Sequence, residues 1–390
     1  MPQKPGKSPI KTAITAAFLL LVLFGVTLAL SSQLQSPNRD FVEYWSSAKL
    51  LARHANPYDL KAVSSLEHSA GLKFKGLLLM PNPPSSLFIF APLGYLPFGL
   101  AGAVWQMFLL LAAIGSIWLL QPWVPGRIPI VAFFLASVVD CFMAGQCTIV
   151  VLLGICLFIR LRESHPWPAG FALTLTVLKP HLLSLFWPIL LLEILRTRRF
   201  QIAAGAIAGV VIASVSALAW DPHIWADYRH SLQGQNLFLR APLPNLPNGL
   251  RLLIWPHSVW LQFIPLALGV PLALWFWWRT RDHWEWHREG ALVIAGAVLV
   301  SPYSFHIDQV LFLPAILYCY PRTNRTMQAI FFVLNGLAIF LILRYPMLTS
   351  LASIWTAPVW MAWCAFIYSQ QRHGQEVKPQ PAADLAASPV

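Results

Sequence analysis

A chain of 390 residues that is 57% hydrophobic and only 11% charged, with 18 tryptophans, lies outside the composition of a soluble domain. Its formal charge of +12 raises the question of nucleic acid, but the basic residues fall in short clusters between apolar runs without a basic-aromatic recognition motif, so no nucleic-acid partner is expected. The five cysteines, Cys141, Cys147, Cys156, Cys319 and Cys364, sit mostly within or beside apolar runs without CxxC spacing, which argues for packing rather than a disulfide framework or a zinc site.

Membrane-spanning helices need ~17 to 25 apolar residues, fewer where neighbours bury their ends. Runs of that character are placed near 12–34, 98–121, 128–143, 146–160, 166–179, 181–195, 200–220, 258–278, 289–302, 305–320, 326–343 and 351–369. The expected fold is therefore an all-α polytopic membrane protein of about twelve spans. The first run is long and lacks a small-x-small cleavage site, so it is expected to remain as a helix. After it, "FVEYWSSAKLLARH" is amphipathic at helical spacing. "PNPPSSLFIFAPLGYLP", 81–97, is too short between its prolines to span and reads as re-entrant or interfacial. The expected organisation is a cytoplasmic N-terminus at 1–11, one membrane domain at 12–369, and a proline- and alanine-rich disordered tail at 370–390.

Orientation follows from the basic flanks. With Lys4, Lys7 and Lys11 inside, the connections holding Arg127, Arg160 and Arg162, Arg196 to Arg199, Arg279 to Arg288, Arg322 and Arg325, and Arg372 all fall on the cytoplasmic side. Two long segments, 35–97 and 221–257, and three short turns that are hardly basic fall on the other. Both termini are thus expected in the cytoplasm, with the chain in the cell (inner) membrane. The sequon Asn324-Arg325-Thr326 would lie on the cytoplasmic side and is read as chance.

The informative polar residues gather on the outer side: Asp40 and Glu43, "AGQC" at 144–147, "LKPH" at 178–181, and "SPYSFHID" at 301–308. Ionisable groups at membrane depth are costly and face a cavity or a site, so their convergence points to a reaction centre. The order "RDFVEYWSSAKLLARHANPYD", "MPNPPSSLFIFAPLGYLPFGLAGAVW", "GQ", "LKPH" and "SPYSFHIDQVLFLPAIL" resembles glycosyltransferase family 87, formerly a domain of unknown function, of the GT-C superfamily. The resemblance covers roughly residues 36 to 320. It implies a GT-C-like fold and transfer of a hexose, typically mannose, from a polyprenyl-phosphate carrier to an extracytoplasmic glycolipid or glycan acceptor. It also implies that the carboxylate after the first span is the general base.

An acceptor hydroxyl must lose a proton as it attacks the anomeric carbon, and Asp40 is placed to take it. The leaving phosphate is already anionic and needs donors rather than an acid, so one base suffices for inversion. Lys179 and His306 are the expected phosphate partners, with Gln146 and His181 as further donors to sugar or phosphate and Arg39 and Arg240 as weaker ones. Glu43, Tyr44 and Asp308 are expected to support the site or meet the acceptor, and Trp45 is a further aromatic beside it. Each has a plainer reading. Asp40 can cap the following helix with Glu43 three residues on, Lys179 can snorkel, and His306 can be a neutral, hydrogen-bonded histidine oriented by Asp308.

His283 and His287 in "HWEWH" have the spacing of two zinc ligands but no third, and are expected to be interfacial. No GxGxxG, P-loop or DxD-type motif appears, which suits a lipid-linked donor. No cofactor or metal is expected. Membrane lipids, the lipid-linked sugar and its acceptor are the expected partners. The competing reading is a secondary transporter or lipid flippase, which calls for ionisable residues near the midplane and an internal repeat; neither stands out.

Overall fold

A computed structural model describes residues 39–71, 80–126, 132–233, 242–345 and 351–376. The expected first span, Arg127, Arg240 and the far end of the tail lie outside them. Among the described residues the regular elements are helices: α1 (Phe41–Ala52), α2 (Leu60–Ser69), α3 (Leu87–Phe90), α4 (Phe98–Leu120), α5 (Ala136–Ala144), α6 (Thr148–Leu161), α7 (Pro166–Ala172) and α8 (Phe186–Thr197). They continue with α9 (Phe200–Trp220), α10 (Ile224–Gln233), α11 (Leu246–Ile254), α12 (Ile264–Thr280), α13 (Ala291–Val300), α14 (Leu313–Cys319), α15 (Arg325–Arg344) and α16 (Thr356–Glu376).

Five stretches are long and apolar enough to cross a membrane: Phe98–Trp123, Phe200–Trp220, Val259–His283, Arg325–Arg344 and Leu351–Arg372. They coincide with five of the expected spans and make the chain a polytopic, all-α membrane protein. Two more, Thr148–Leu161 and Pro166–Leu178, are shorter apolar helices. The remaining expected spans in the described residues appear as short helices broken by 3-10 or π turns. Helix α13, at 10 residues, rises only ~15 Å, half of the ~30 Å hydrocarbon core. Its Ala291, Ile294, Ala295 and Ala297 are wholly buried, so protein rather than lipid surrounds most of it.

Helix α1 is covered on nearly every face: Phe41 and Ala48 have no exposed surface, and Glu43, Trp45, Ser46 and Ser47 are also buried. Phe41 stacks on Phe98 and Trp105, with ring centroids 6.1 and 5.9 Å apart, and Tyr44 stacks on Phe90 at 4.5 Å. The short segment 81–97 folds as a 3-10 turn (Pro84–Ser86), α3, and a second 3-10 turn (Ala91–Tyr95) laid against α1. Gly94 permits the contact, because a Cβ there would meet the Ala48 carbonyl oxygen at 2.1 Å. Helix α1 is thus sunk into the bundle, with Asp40 at its buried start.

Candidate active site

Asp40 sits where α1 meets the end of α5. Its N–H donates to the Ala144 carbonyl at 2.9 Å. Its carboxylate, on a residue only 3% exposed, accepts from Arg39 Nε at 2.8 Å and from Gln146 Nε2 at 3.0 Å. The capping reading is corrected. Capping wants extended backbone at the cap residue, whereas Asp40 is helical at φ −87, ψ −21, and its side chain caps nothing. No capping box joins it to Glu43. Glu43 lines the same cavity as Asp40. Burial first, then the Asp40 and Glu67 carboxylates, push the Glu43 pKa well above the usual carboxylate range, which favours the neutral acid.

Gln146 reaches Asp40 because Gly145 ends α5 in the left-handed region at φ 70. The turn is closed by Gly145 N–H to Phe142 O and Gln146 N–H to Cys141 O, at 3.1 and 2.9 Å, and Trp105 Nε1 donates to the Gly145 carbonyl at 2.7 Å. The Gln146 carbonyl oxygen accepts from the Tyr44 hydroxyl and from the Cys147 amide, so both ends of the amide are committed. Gln146 therefore fixes the rotamer of Asp40 and the orientation of Tyr44.

Opposite lies Lys179, at the end of a 3-10 turn over Leu173–Leu178 and just before Pro180. It is 9% exposed, and its ammonium donates to Asp308 Oδ1 at 2.7 Å, so it does not snorkel free. Asp308 also accepts from Thr148 Oγ1 at 2.8 Å and from the Phe305 amide at 2.9 Å. One of the three ammonium protons is thereby committed to Asp308. His181 stands edge-on to Tyr303 with centroids 5.5 Å apart, and its Nε2 is buried without a hydrogen-bond partner.

The sequence-derived candidates Asp40, Glu43, Tyr44, Gln146, Lys179 and His181 line one cavity of about 280 Å³. Two do not. Asp308 stands behind Lys179 and orients it, rather than orienting His306. His306 turns away: its Nε2 lies 2.5 Å from Asp140 Oδ2, and it borders a separate small cavity with Ser137, Gln309 and Thr356. Both begin a 3-10 helix, His306–Phe312, and at ~3 residues per turn side chains two apart point to different sides. Trp45 is also outside the cavity, its indole N–H donating to the Leu96 carbonyl at 3.1 Å.

The cavity has members that residue-by-residue sequence reading passed over. Asn82, inside the quoted "MPNPP", donates to the Leu178 carbonyl at 2.7 Å and so ties the 81–97 segment to the lysine turn. Tyr303 and Phe305 belong to "SPYSFHID", where attention to ionisable groups hid the aromatics. Tyr228, whose hydroxyl donates to the Pro81 carbonyl at 3.1 Å, comes from the long 221–257 segment and carried no signal. Asp140, which lies outside this cavity against His306, is a carboxylate in an apolar run and was detectable by its cost alone. Among the described residues no group of three or more His, Cys, Asp or Glu side chains is arranged to hold a metal. The cavity brings two carboxyl groups, Glu43 with its pKa pushed up by burial, an ammonium and a free imidazole nitrogen to one chamber, which can take a proton from a hydroxyl and hold an anion.

A family model described as glycosyltransferase family 87 matches residues 81–302. The match spans Asn82, Gln146, Lys179, His181 and Tyr228; Asp40, Glu43 and Tyr44 precede it, and Tyr303 to Asp308 follow it. No curated protein and no solved structure matches the chain. With more than half of its length matched and its helices those of a polytopic membrane protein, the chain belongs to glycosyltransferase family 87 and is a membrane glycosyltransferase.

Proposed function

We propose that the protein moves a hexose, mannose in the first instance, from a polyprenyl-phosphate carrier to a hydroxyl of an extracytoplasmic glycolipid or glycan, with inversion, within a GT-C-like fold. The observation that carries this reading is Asp40 and Lys179 lining one cavity. The acceptor oxygen forms a bond to the anomeric carbon while the bond from that carbon to the phosphate oxygen breaks. The acceptor proton passes to Asp40, and the electron pair leaves on polyprenyl phosphate. Lys179 has ammonium protons beyond the one given to Asp308, and His181 Nε2 is unpartnered; both are suited to the departing phosphate. Glu43, whose burial favours the protonated form, is suited to donate to a sugar oxygen.

A lipid-linked donor is supported by a second, apolar cavity of about 570 Å³ between α3, α6, α7 and α9, walled by Phe88, Leu157, Trp167, Phe171, Leu175 and Ile212. The two segments that frame it, 84–90 and 173–178, also deliver Asn82 and Lys179 to the polar chamber. The test is transfer by the purified protein in lipid nanodiscs, offered a synthetic polyprenyl-phosphate mannose or a nucleotide sugar with extracted envelope glycolipids as acceptors. Transfer from the lipid donor alone is expected. Transfer from the nucleotide sugar alone overturns the donor assignment, and substrate movement without a new glycosidic bond favours the transporter.

A further inference from the structure

We propose that Asp140 and His306 form a positioning clamp that holds the base Asp40 in register, an inference that rests on Asp40 being the base. Asp140 lies one helical turn before Ala144 on α5, so the two share a face. Ala144 supplies the carbonyl that accepts the Asp40 amide at 2.9 Å, and the turn that follows supplies Gln146, which donates to the Asp40 carboxylate at 3.0 Å. Every polar hold on Asp40 from this side therefore depends on where α5 ends.

What fixes that end is polar. Asn335 of α15 binds the start of α5, accepting from the Ala136 amide and donating to the Phe134 carbonyl, each at 2.8 Å. Gln106 of α4 donates to the Phe142 carbonyl at 2.9 Å. Between them His306 Nε2 stands 2.5 Å from Asp140 Oδ2, a close polar contact, and that oxygen accepts no hydrogen bond. The ring is the first residue of the His306–Phe312 turn that also carries Asp308, so one short element grips α5 through His306 and Lys179 through Asp308. Breaking the His306 contact frees α5 to shift while Asp308 keeps its holds on Thr148 and the Phe305 amide. The clamp thus governs the base and leaves the phosphate side in place.

The test compares Asp140→Leu, Asp140→Asn and His306→Gln in the full-length protein, with the lipid-linked donor and its acceptor. A misplacement of about 1 Å costs on the order of 10²-fold in rate, so Asp140→Leu is expected to lower kcat ~10- to 100-fold with donor KM unchanged. Asp140→Asn, which keeps a polar group of the same size against the ring, is expected to recover most of that loss. In an Asp40→Asn background Asp140→Leu should add nothing, because there is no base left to misplace. His306→Gln serves if Asp140→Leu does not fold, and its kcat should fall with donor KM unchanged. Wild-type kcat in Asp140→Leu or His306→Gln, a parallel rise in donor KM, or a full further loss in the Asp40→Asn background overturns the clamp. If Asp40→Asn is itself active, the base assignment falls and the clamp with it. An inactive Asp40→Asn beside a fully active Asp140→Leu removes the clamp alone.

Discussion

Lys179 and Asp308, 129 residues apart in the chain, form a buried ion pair of 2.7 Å at the wall of the cavity. Removing one partner of such a pair strands a buried charge, whereas replacing both can be close to neutral.

Lys179→Ala is therefore expected to cost about 3 to 5 kcal/mol of stability, most of it from the stranded Asp308. Lys179→Met with Asp308→Asn removes both charges while the amide oxygen can still accept from the Phe305 amide or Thr148 Oγ1, so it should restore much of the stability and still bind donor poorly. A lost charge-assisted bond of ~1.5 to 3 kcal/mol corresponds to a donor KM raised at least ~10-fold. Thermal unfolding and donor titration of the single and double variants separate the two effects. A double variant with wild-type donor KM would leave Lys179 a purely structural residue.

Gln146 gives a second prediction. Gln146→Glu keeps the shape, removes the donor to Asp40, and sets a carboxyl group against a carboxylate. Gln146→Ala removes the contacts to Asp40, Tyr44 and the Cys147 amide without adding charge. Each is expected to cost about 1 to 3 kcal/mol of stability, and Gln146→Glu should lose more activity because of the second acid beside Asp40. Equal rates for the two would argue that Gln146 only fills space.

The site was legible where chemistry is expensive and illegible where geometry decides. Asp40, Glu43, Gln146, Lys179 and His181 could be read from sequence because polar groups in an apolar chain need a reason. The long spans could be read because ~20 apolar residues admit few alternatives. Neither Asp308 nor His306 could be placed from sequence, because two residues on a 3-10 turn diverge and spacing alone does not say that one backs Lys179 while the other meets Asp140. Helix α1 reads as amphipathic because its polar Glu43, Ser46 and Ser47 are spaced for one face, yet all three are buried. The close packing of its other residues comes from far along the chain, Phe98 on Phe41 and Gly94 against Ala48.

Glu43 predicts a pH dependence. Its pKa is raised by burial and by Asp40 and Glu67, so the folded state prefers the protonated form. The associated stability is fully present below its ordinary unfolded value, ~4.3, and is lost as pH rises through the elevated folded value. Glu43→Gln should remove this alkaline-side loss, giving a variant whose unfolding temperature falls less than that of wild type as pH is raised. Parallel pH profiles for the two proteins would mean that Glu43 carries its charge in the fold.

Topology is testable without knowing the substrate. A reporter fused after residue 320 is expected to read cytoplasmic, and one in the 221–257 segment extracytoplasmic. Tyr228, from that segment, lines the cavity with Asp40. Reporters reading the same side would remove the outer-face location of the site.

Asp40→Asn tests the base most directly, and the geometry sharpens what it measures. Asp40 does not cap α1, so the change leaves the helix start intact. It does alter the pairing: Arg39 Nε and Gln146 Nε2 both donate to the carboxylate, and an amide offers only one oxygen to two donors. A stability cost of about 1 to 3 kcal/mol follows from the displaced donor, small enough for insertion and folding to proceed. Transfer should fall by ~10² to 10⁴-fold, the range for a positioned general base. Glu43→Gln makes the same chemical change one helical turn along, at a group already held neutral, and should lower transfer far less. Comparing the two therefore separates loss of a base from loss of an acid group at the cavity wall. The decisive measurement is transfer from a synthetic polyprenyl-phosphate sugar by each purified variant, read beside its thermal unfolding. If Asp40→Asn transfers at close to the wild-type rate, proton removal belongs to another group lining the chamber, and Asp40 serves only as the counter-charge of Arg39.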